Sequence, residues 1–281
     1  MSASSPLHLI LMGAGGRMGQ AIIRLVAAAP PPGFRVVAAL DHPESPLIGQ
    51  DAGTAAGSAA LDVPITADLD AALRQGGDVA IDFSQASASV AAAPRMAAAS
   101  IPWVVGTTGL DDDGVAAITA AAQHIPVILA ANMSPGINLL YALIEQAARA
   151  LRGNGYDCEI VERHHRRKKD APSGTALFLG RAAAAGYDWT LKDVAVDGRS
   201  GLPGERPTEQ IGFHAVRGGD IAGDHSVIFA ADGECIELSH RATSRDVFAI
   251  GALRAAAWLA GRPAALYGMR DVLGLTPGGD S

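Results

Sequence analysis

A short basic segment near the middle of the chain carries residue types that can move protons and hold anions. Residues 163–169 read Arg-His-His-Arg-Arg-Lys-Lys, so five of the chain's 22 lysine and arginine residues occupy seven positions. A histidine changes its charge near neutral pH, and it can therefore give and take a proton under physiological conditions. The segment predicts a site that binds a small anion and exchanges protons with it.

A Ser-Gly-Thr turn follows the basic segment closely. Ser173, Gly174 and Thr175 precede an apolar helix predicted over Ala176–Ala185. The first N–H groups of a helix have no partner within it, and together with the hydroxyls of the turn they can bind a carboxylate. Cationic side chains just before the turn can hold a second carboxylate. The two segments together predict a binding site for a small dicarboxylate.

A glycine-rich turn near the start of the chain is typical of a dinucleotide-binding site. Gly13, Gly16 and Gly19 follow the apolar run Leu7–Met12, and a helix is predicted from about Arg17 to Ala29. Glycine permits the tight turn, the close approach of the backbone to a pyrophosphate and the contact between helix and strand. The spacing is G-x-x-G-x-x-G rather than strict G-x-G-x-x-G, and its position between strand and helix strengthens the prediction.

An acidic residue stands where the ribose of such a cofactor is bound. Asp41 ends the second predicted strand, Phe34–Leu40, and a carboxylate at this place can accept hydrogen bonds from the adenosine ribose. It also repels the 2′-phosphate of NADPH, and the next residue is His42 rather than an arginine. Arg17 can compensate in part. The sequence therefore favours NADH, leaves NADPH open, and predicts reduction of the dicarboxylate by a nicotinamide cofactor.

Alternating strands and helices fill the first half of the chain. This order is typical of βαβ units around a parallel sheet. The further strand candidates are Val79–Phe83, Trp103–Val105 and Pro126–Ala130, and the helix candidates between them are Leu69–Arg74, Ala86–Ala99 and Asp111–Ala122.

The second half has a different pattern. After a helix near Ile137–Leu151, strand candidates follow one another with few helices between them, which predicts an antiparallel or mixed sheet. Residues 188–208 are rich in glycine, proline and charge and are predicted to form a long loop. The strand candidates are Cys158–Arg163, Gly212–Val216, Ser226–Ala230 and Cys235–Ser239.

These patterns predict an α/β protein of two domains. We expect an N-terminal Rossmann-type dinucleotide-binding domain over residues 1–134 and a C-terminal mixed α/β sheet domain over residues 135–244. The last helical stretch, Phe248–Ala260, can return to the first domain, so residues 245–281 are assigned to it.

Composition and charge exclude several classes of protein. The net charge of −7 opposes binding to nucleic acid or to anionic lipid, and the apolar runs fall far below the roughly 18 residues of a membrane span. Cys158 and Cys235 have no metal-type spacing, and the N-terminal residues do not resemble a secretory signal. We expect a cytoplasmic protein with no nucleic-acid partner and no membrane contact.

The motifs resemble those of the 4-hydroxy-tetrahydrodipicolinate reductase (dihydrodipicolinate reductase) family over nearly the whole chain. The most specific of them is the pair of histidines followed by Asp-Ala-Pro-Ser-Gly-Thr-Ala. The segments that carry the resemblance are residues 13–19 (Gly-Ala-Gly-Gly-Arg-Met-Gly), 106–109 (Gly-Thr-Thr-Gly), 130–134 (Ala-Ala-Asn-Met-Ser), 162–165 (Glu-Arg-His-His), Lys168, 170–175 (Asp-Ala-Pro-Ser-Gly-Thr) and 217–220 (Arg-Gly-Gly-Asp).

The resemblance implies a role for individual residues. His164 matches the proton donor and acceptor of the family, and Lys168 matches its proton donor. The positions that match or adjoin substrate-binding residues are His165, Ser173, Gly174 and Thr175. The positions that match cofactor-binding residues are Gly13, Ala14, Gly15, Gly16, Arg17, Met18, Asp41, Gly106, Thr107, Thr108, Ala130, Ala131, Asn132 and Met133.

The resemblance also implies a reaction and an assembly. The family reduces a cyclic, unsaturated dicarboxylate to tetrahydrodipicolinate, with hydride from NADH or NADPH and with loss of water, in the diaminopimelate route to lysine. Its second domain binds substrate and builds a homotetramer. Two departures concern the cofactor: Asp41-His42 stands where many members have an acid followed by arginine, and Ser84-Gln85 follows Asp82-Phe83 where members often have threonine.

Several alternatives remain open at the level of the sequence. One is another Rossmann-fold oxidoreductase acting on a small dicarboxylate, including one with a nucleophilic cysteine. Another is a non-catalytic dinucleotide-binding protein, or one whose basic segment binds nucleic acid. A metal site is not expected, because adjacent histidines on a strand point to opposite faces. Its candidate ligands are His164, His165, His225 and His240.

Overall fold

A computed structural model describes residues 5–28 and 33–275 of the chain. The strands are β1 (Leu7–Met12), β2 (Phe34–Leu40), β3 (Ile65–Thr66), β4 (Val79–Asp82), β5 (Trp103–Val105), β6 (Pro126–Leu129), β7 (Asp157–His164), β8 (Ala195–Asp197), β9 (Ile211–Arg217), β10 (Asp224–Ala231), β11 (Glu234–Arg241) and β12 (Ala265–Tyr267). The helices are α1 (Arg17–Ala28), α2 (Ala52–Ala55), α3 (Leu69–Arg74), α4 (Ala86–Ala99), α5 (Asp112–Ala121), α6 (Pro135–Leu151), α7 (Gly174–Tyr187), α8 (Leu191–Val194), α9 (Asp246–Leu259) and α10 (Met269–Val272). Ala29, the predicted last residue of the first helix, lies outside the described residues.

The chain divides into two compact units. The first comprises the residues up to Pro135 together with those from Asp246 onward, and the second comprises Gly136–Arg245. Within the described ranges, no helix is both long and apolar enough to cross a membrane.

A seven-stranded parallel sheet forms the centre of the first unit. Its order is β3-β2-β1-β4-β5-β6-β12, so the direction in which strands are added reverses between β1 and β4. Ligands of such sheets bind beyond the carboxyl ends of the strands at this reversal. The arrangement confirms the predicted Rossmann-type sheet.

Both faces of this sheet are buried, because side chains of a strand point alternately to opposite faces. Leu9 and Leu11 of β1 belong to a core that includes residues of α1 and α9, whereas Ile10 and Met12 belong to a second core that includes residues of α4 and α5. The C-terminal helix α9 is therefore part of the first unit. Its Gly251 allows a close approach, since a Cβ there would lie 1.8 Å from the carbonyl oxygen of Met133.

The second unit is built on a five-stranded mixed sheet of order β11-β10-β7-β9-β8. Strand β7 is parallel to β9, and β10 is antiparallel to both β7 and β11. Side chains of α6 and α7 share a hydrophobic core with the sheet, and alternate residues of β7 are buried. This alternation puts Glu162 and His164 side by side. The mixed sheet confirms the predicted class of the second domain.

The predicted long loop over residues 188–208 is wrong in part. It contains the short helix Leu191–Val194 and the edge strand Ala195–Asp197, which pairs in parallel with β9. The strand lies at the edge of its sheet and its first and last residues are exposed, so no buried apolar run marks it in the sequence. The edge strands Ile65–Thr66 and Ala265–Tyr267 were not predicted either.

Candidate active site

The turns that follow β1, β2 and β4 line a cavity of about 740 Å³ in the first unit. It lies at the carboxyl edge of the parallel sheet, where the strand order reverses. Four of the predicted cofactor residues line it: Gly13, Gly15, Gly16 and Asp41. Phe83, Ser84 and Gln85 after β4 line it as well, together with Arg95 of α4.

Glycine is required at one position of the first turn and permits a close side-chain contact at another. A Cβ on Gly13, whose φ is +79°, would lie 2.6 Å from the carbonyl oxygen of Phe83. A Cβ on Gly15 would lie 2.2 Å from Oδ2 of Asp41, so the carboxylate keeps this position only while residue 15 has no side chain. The turn therefore lies close to the loop after β4 and to the Asp41 carboxylate. This backbone cradle at the start of α1 fits the pyrophosphate of a dinucleotide, for which helix N-termini are suited.

The carboxylate of Asp41 is held in place by its own turn. Its Oδ2 accepts a hydrogen bond of 2.6 Å from the hydroxyl of Ser45, and its Oδ1 accepts one of 3.0 Å from the backbone N–H of His42. Arg95 lines the same cavity, but its Nε donates to Asp70 at 2.9 Å. Arg17 is exposed at the first position of α1. Ser45 was not predicted, since its role depends on how the turn folds back on Asp41.

In the loops after β5 and β6, some of the predicted cofactor residues are exposed and others are buried. A Cβ on Gly106 would lie 2.2 Å from the ring of Phe83. The side chain of Thr107 is buried, whereas Thr108 is exposed. Met133 is 1% exposed and belongs to the core, so its side chain has a structural role. Ala131 is exposed, and Asn132 accepts a hydrogen bond from the backbone of Ser134.

The buried carboxylate of Asp82 joins the loop after β5 to the loop after β4 and to α4. It accepts hydrogen bonds from Ser89 at 2.8 Å, from Thr107 at 3.3 Å and from the backbone of Ser84 at 2.8 Å. Burial raises the pKa of Asp82 against the effect of these hydrogen bonds. The hydroxyl of Thr107 is thus engaged within the protein.

In the second unit, His164 is hydrogen-bonded to a buried carboxylate. Its Nδ1 contacts Oε2 of Glu162, which is 1% exposed, and Arg217 donates to both oxygens of Glu162 at 2.8 Å each. Burial raises the pKa of Glu162, but the hydrogen bonds from His164 and Arg217 outweigh it and lower the pKa to about 2. An ionised carboxylate only accepts hydrogen bonds, so Nδ1 of His164 carries a proton.

Next to Nε2, the other ring nitrogen of His164, Gly223 leaves space that a side chain would occupy. A Cβ on Gly223 would lie 3.1 Å from Nε2 of His164. The ring of His225 stands edge-on at 5.0 Å between centroids. Burial, and then the charge of His164, lowers the pKa of His225 to about 3, so His225 is neutral at physiological pH. Nε2 is therefore the atom through which His164 can exchange a proton with a ligand.

The helix α7 begins next to this pair. Ser173 caps the helix, because its hydroxyl accepts a hydrogen bond of 3.1 Å from the backbone N–H of Ala176. The backbone N–H of Ser173 donates to Oε1 of Glu162 at 3.1 Å, and its hydroxyl lies 3.2 Å from Nε2 of His225. Gly174 is exposed, and a Cβ there would meet nothing within 4 Å. The predicted carboxylate-binding turn thus adjoins the predicted acid–base group.

Lys168 and His165 lie on the loop between β7 and α7. The ammonium of Lys168 contacts both oxygens of Asp170, at 2.8 and 2.9 Å. Arg217 donates to the backbone carbonyl of Asp170 at 2.5 Å. Nδ1 of His165 is buried and meets no hydrogen-bond partner among the described residues. Burial lowers the pKa of His165, and the charges of Arg245 and Arg167 lower it further.

Sequence reasoning gave no role in this site to four residues of the arrangement: Glu162, Arg217, Gly223 and His225. Glu162 and Arg217 lie in segments that carry the resemblance, and His225 was considered only as a metal ligand. Glu162 had a usable signal, because residues two apart on a strand share a face. The others reach His164 or Glu162 from β9, from β10 and from the segment just before β10, and nothing local in the sequence shows that they do.

The alternative with a nucleophilic cysteine loses Cys158 as a candidate, whereas Cys235 is exposed. Cys158 is 1% exposed, and burial raises the pKa of its thiol to about 12, which is incompatible with a nucleophilic thiolate at neutral pH. Across the described ranges, no three histidine, cysteine or acidic side chains converge in a way that could hold a metal ion.

The chain matches both halves of one enzyme family. The family model for the N-terminus of dihydrodipicolinate reductase matches residues 7–133, and the model for its C-terminus matches residues 136–273. This chain belongs to the dihydrodipicolinate reductase family. It is accordingly an oxidoreductase with a Rossmann domain for a nicotinamide dinucleotide.

Relatives named 4-hydroxy-tetrahydrodipicolinate reductase align with this chain over almost their full length. The 4-hydroxy-tetrahydrodipicolinate reductase of Anaeromyxobacter dehalogenans (strain 2CP-1) is 50% identical over 270 residues, which are 96% of this chain and 98% of that protein. The reductase of Thiobacillus denitrificans is 51% identical over 269 residues, 96% and 99% of the two chains.

Solved structures show the same fold at lower identity. The dipicolinate-bound dihydrodipicolinate reductase from Paenisporosarcina sp. TG-14 has a TM-score of 0.74 at 23% identity, covering 94% of this chain and 97% of that one. An amine dehydrogenase from Mycobacterium smegmatis has a TM-score of 0.64 at 14% identity, covering 95% and 96%. The fold is thus shared with an enzyme of another name, and the dihydrodipicolinate reductase assignment rests on the family match.

Proposed function

We propose that this chain reduces 4-hydroxy-tetrahydrodipicolinate to tetrahydrodipicolinate, with hydride from a nicotinamide cofactor and with loss of water, in the diaminopimelate route to lysine. The observation that carries the proposal is the pair of Glu162 and His164 next to the N-terminus of α7. This pair supports the proposal, because reduction of a dicarboxylate calls for a group that exchanges protons close to N–H groups that can bind a carboxylate.

The proton balance of this reaction calls for two groups that handle protons. Loss of water takes a proton from a ring carbon and delivers one to the departing hydroxyl. The nicotinamide, when bound, supplies the hydride, and the electron pair left on the ring takes up a further proton. His164 gives and takes protons through Nε2, while Glu162 holds Nδ1. Lys168 is the second proton donor, and its ammonium is held near the loop backbone by Asp170.

The two carboxylates of the substrate have separate binding groups in this proposal. The backbone N–H groups of Gly174 and Thr175 at the start of α7 hold one carboxylate, and Ser173 shapes that turn. His165 and the cationic loop around Lys168 hold the other. The side chain of His165 is partly exposed, although its Nδ1 is buried.

The cofactor lies in the cavity of the first unit, and NADH is the preferred form. The carboxylate of Asp41, oriented by Ser45, accepts hydrogen bonds from the adenosine ribose and repels a 2′-phosphate. Arg95 lines the cavity, but its guanidinium is paired with Asp70. It therefore attracts a 2′-phosphate less strongly than an unpaired arginine would. The residues proposed to contact the cofactor are Gly13, Ala14, Gly15, Gly16, Arg17, Met18, Asp41, Gly106, Thr107, Thr108, Ala130, Ala131, Asn132 and Met133.

A coupled assay tests the reaction. An aldolase that condenses pyruvate with aspartate semialdehyde generates the substrate in place, and the absorbance of NADH or NADPH is followed at neutral pH. We expect oxidation that depends on both precursors and is faster with NADH. A folded sample that binds NADH but oxidises neither cofactor would instead be a non-catalytic dinucleotide-binding protein.

The cofactor preference predicts the effect of Asp41→Ala. We expect the KM for NADH to rise by about 10-fold or more, because a hydrogen bond to a charged group is lost. The KM for NADPH should stay or fall, since the repulsion of the 2′-phosphate is removed. Steady-state kinetics should therefore show a lower ratio of the KM for NADPH to the KM for NADH.

Glu44→Ala is the matched control for this change. It removes one negative charge from an exposed position of the same turn, where the side chain does not line the cavity. We expect the ratio of the two KM values to stay as in the parent. If Asp41→Ala instead raised the ratio of the KM for NADPH to the KM for NADH, the account of cofactor choice would be wrong.

We also propose that the protein is a cytoplasmic homotetramer assembled through the second unit. The resemblance to the family implies this assembly. The sheet of the second unit supports it, because Val216 on β9 and Ile236 on β11 are 46% and 38% exposed. Exposed apolar side chains on a sheet are suited to contact between subunits.

A further inference from the structure

We propose that Glu162 is a positioning residue of the reductase site: it holds His164 in the tautomer that exchanges protons through Nε2 and ties that ring to the N-terminus of α7. This inference deepens the proposed function and rests on it.

Every hydrogen-bonding position of this carboxylate is used. Oε2 accepts from Nδ1 of His164 and from Nη1 of Arg217 at 2.8 Å. Oε1 accepts from Nη2 of Arg217 at 2.8 Å and from the backbone N–H of Ser173 at 3.1 Å. A carboxylate with four donors and 1% exposure has one orientation. The ring of His164 is therefore held by a group that cannot rotate away.

Arg217 connects this carboxylate to the loop that carries Lys168. It comes from β9, which lies beside β7, and it also donates to the backbone carbonyl of Asp170 at 2.5 Å. Glu162 thus joins β7, β9, the loop and α7 at one point. The proposed proton-exchanging ring and the proposed carboxylate-binding turn share this support, so a change at Glu162 should affect both.

The charged and titratable groups around His164 come from three strands and the following loop. They are Glu162 on β7, Arg217 on β9, His225 on β10, and His165 and Lys168 on the loop. Of these five groups, Glu162 alone is a carboxylate. It is therefore the one of these groups that can only accept a hydrogen bond from Nδ1 of His164.

Glu162→Gln tests the proposal with little change of volume. The amide N–H₂ of the new side chain donates to Nδ1 instead of accepting from it, so the neutral ring carries its proton on Nε2. We expect kcat to fall by about 10- to 100-fold, as when outer partners of functional histidines are lost. The KM for NADH should stay unchanged, because the first unit provides the cofactor cavity.

The tautomer of His164 in the variant separates this role from a merely structural one. In Glu162→Gln we expect nitrogen-15 spectra to show the neutral ring of His164 with its proton on Nε2, because Nδ1 then accepts from the amide. A lower kcat with the proton still on Nδ1 would overturn the proposal.

Glu159→Gln is the matched control on the same strand. Glu159 also accepts from two arginines and a histidine: Arg199 at 2.9 Å, Arg206 at 2.8 Å and His214 at 2.7 Å. It lies on the opposite face of β7, so the same chemical change removes a comparable set of ion pairs away from His164. We expect His164 of this variant to keep its proton on Nδ1 and kcat to stay near that of the parent.

The unmodified protein provides a test that needs no stable variant. Nitrogen-15 spectra of protein labelled at histidine report which ring nitrogen carries the proton, and His164→Asn assigns the resonances. We expect His164 to be protonated at Nδ1 above neutral pH. A neutral ring protonated at Nε2 would overturn the proposal. This measurement does not depend on turnover, so its failure is distinguishable from failure of the coupled assay.

Discussion

Replacing His164 with asparagine should abolish most of the turnover while leaving cofactor binding intact. The amide N–H₂ of asparagine can still donate to Glu162, so the support beneath the ring is kept. What is removed is Nε2, the atom proposed to exchange protons. Loss of a positioned proton-transfer group costs about 10²- to 10⁴-fold in rate, and we expect kcat to fall within that range. The coupled assay measures kcat, and NADH fluorescence measures binding.

His214→Asn is the control for this prediction. His214 also lies on a strand of the second unit and also contacts a glutamate, with 2.7 Å between its Nε2 and Oε2 of Glu159. We expect this variant to keep the kcat of the parent within about a factor of three, since surface changes away from a site have small effects. Unchanged turnover in His164→Asn would remove His164 from the mechanism.

Replacing Lys168 with methionine should lower kcat by about 10²- to 10³-fold, because the side chain loses its proton but keeps most of its apolar length. The ammonium contacts both oxygens of Asp170, so the loop loses one ion pair as well. We expect the KM for NADH to be unaffected. Lys169→Met, which removes the same charge from the exposed neighbour, should leave kcat near that of the parent.

Lys168→Arg separates proton donation from charge. Arginine keeps the cation but does not give up a proton in proteins. If Lys168 donates a proton, the arginine variant should have the KM of the parent for the dicarboxylate but a kcat as low as that of Lys168→Met. If its KM and its kcat both equal those of the parent, Lys168 serves substrate binding alone.

The fold was largely accessible from the order of apolar runs. The runs Leu7–Met12 and Trp103–Val105 are strands with the predicted bounds, and the mixed sheet of the second unit follows from closely spaced strands. The short edge strands and the helix inside residues 188–208 were not accessible. The missed strands lie at sheet edges and pair on one side only, whereas the equally short Trp103–Val105 is a central strand marked by a fully buried apolar run.

The candidate cofactor site was accessible in part. The glycine turn and Asp41 mark it, and the structure brings Gly15 against that carboxylate. The orientation of Asp41 by Ser45 was not apparent, nor was the commitment of the Met133 side chain to the hydrophobic core. Both depend on how a loop folds back onto the sheet.

At the proton-exchanging site, the sequence by itself identifies the groups that can react. The paired histidines, Lys168 and the Ser-Gly-Thr turn are recognisable because they lie within a dozen positions of one another. Their surroundings arise from pairing between distant strands: Arg217 is 55 positions from Glu162, and His225 is 52 positions from Ser173. Residue types show which groups can react, whereas their protonation and orientation depend on burial and on partners that strand pairing brings near. Those partners come together only when β7, β9 and β10 form one sheet, since nothing local in the chain holds them side by side.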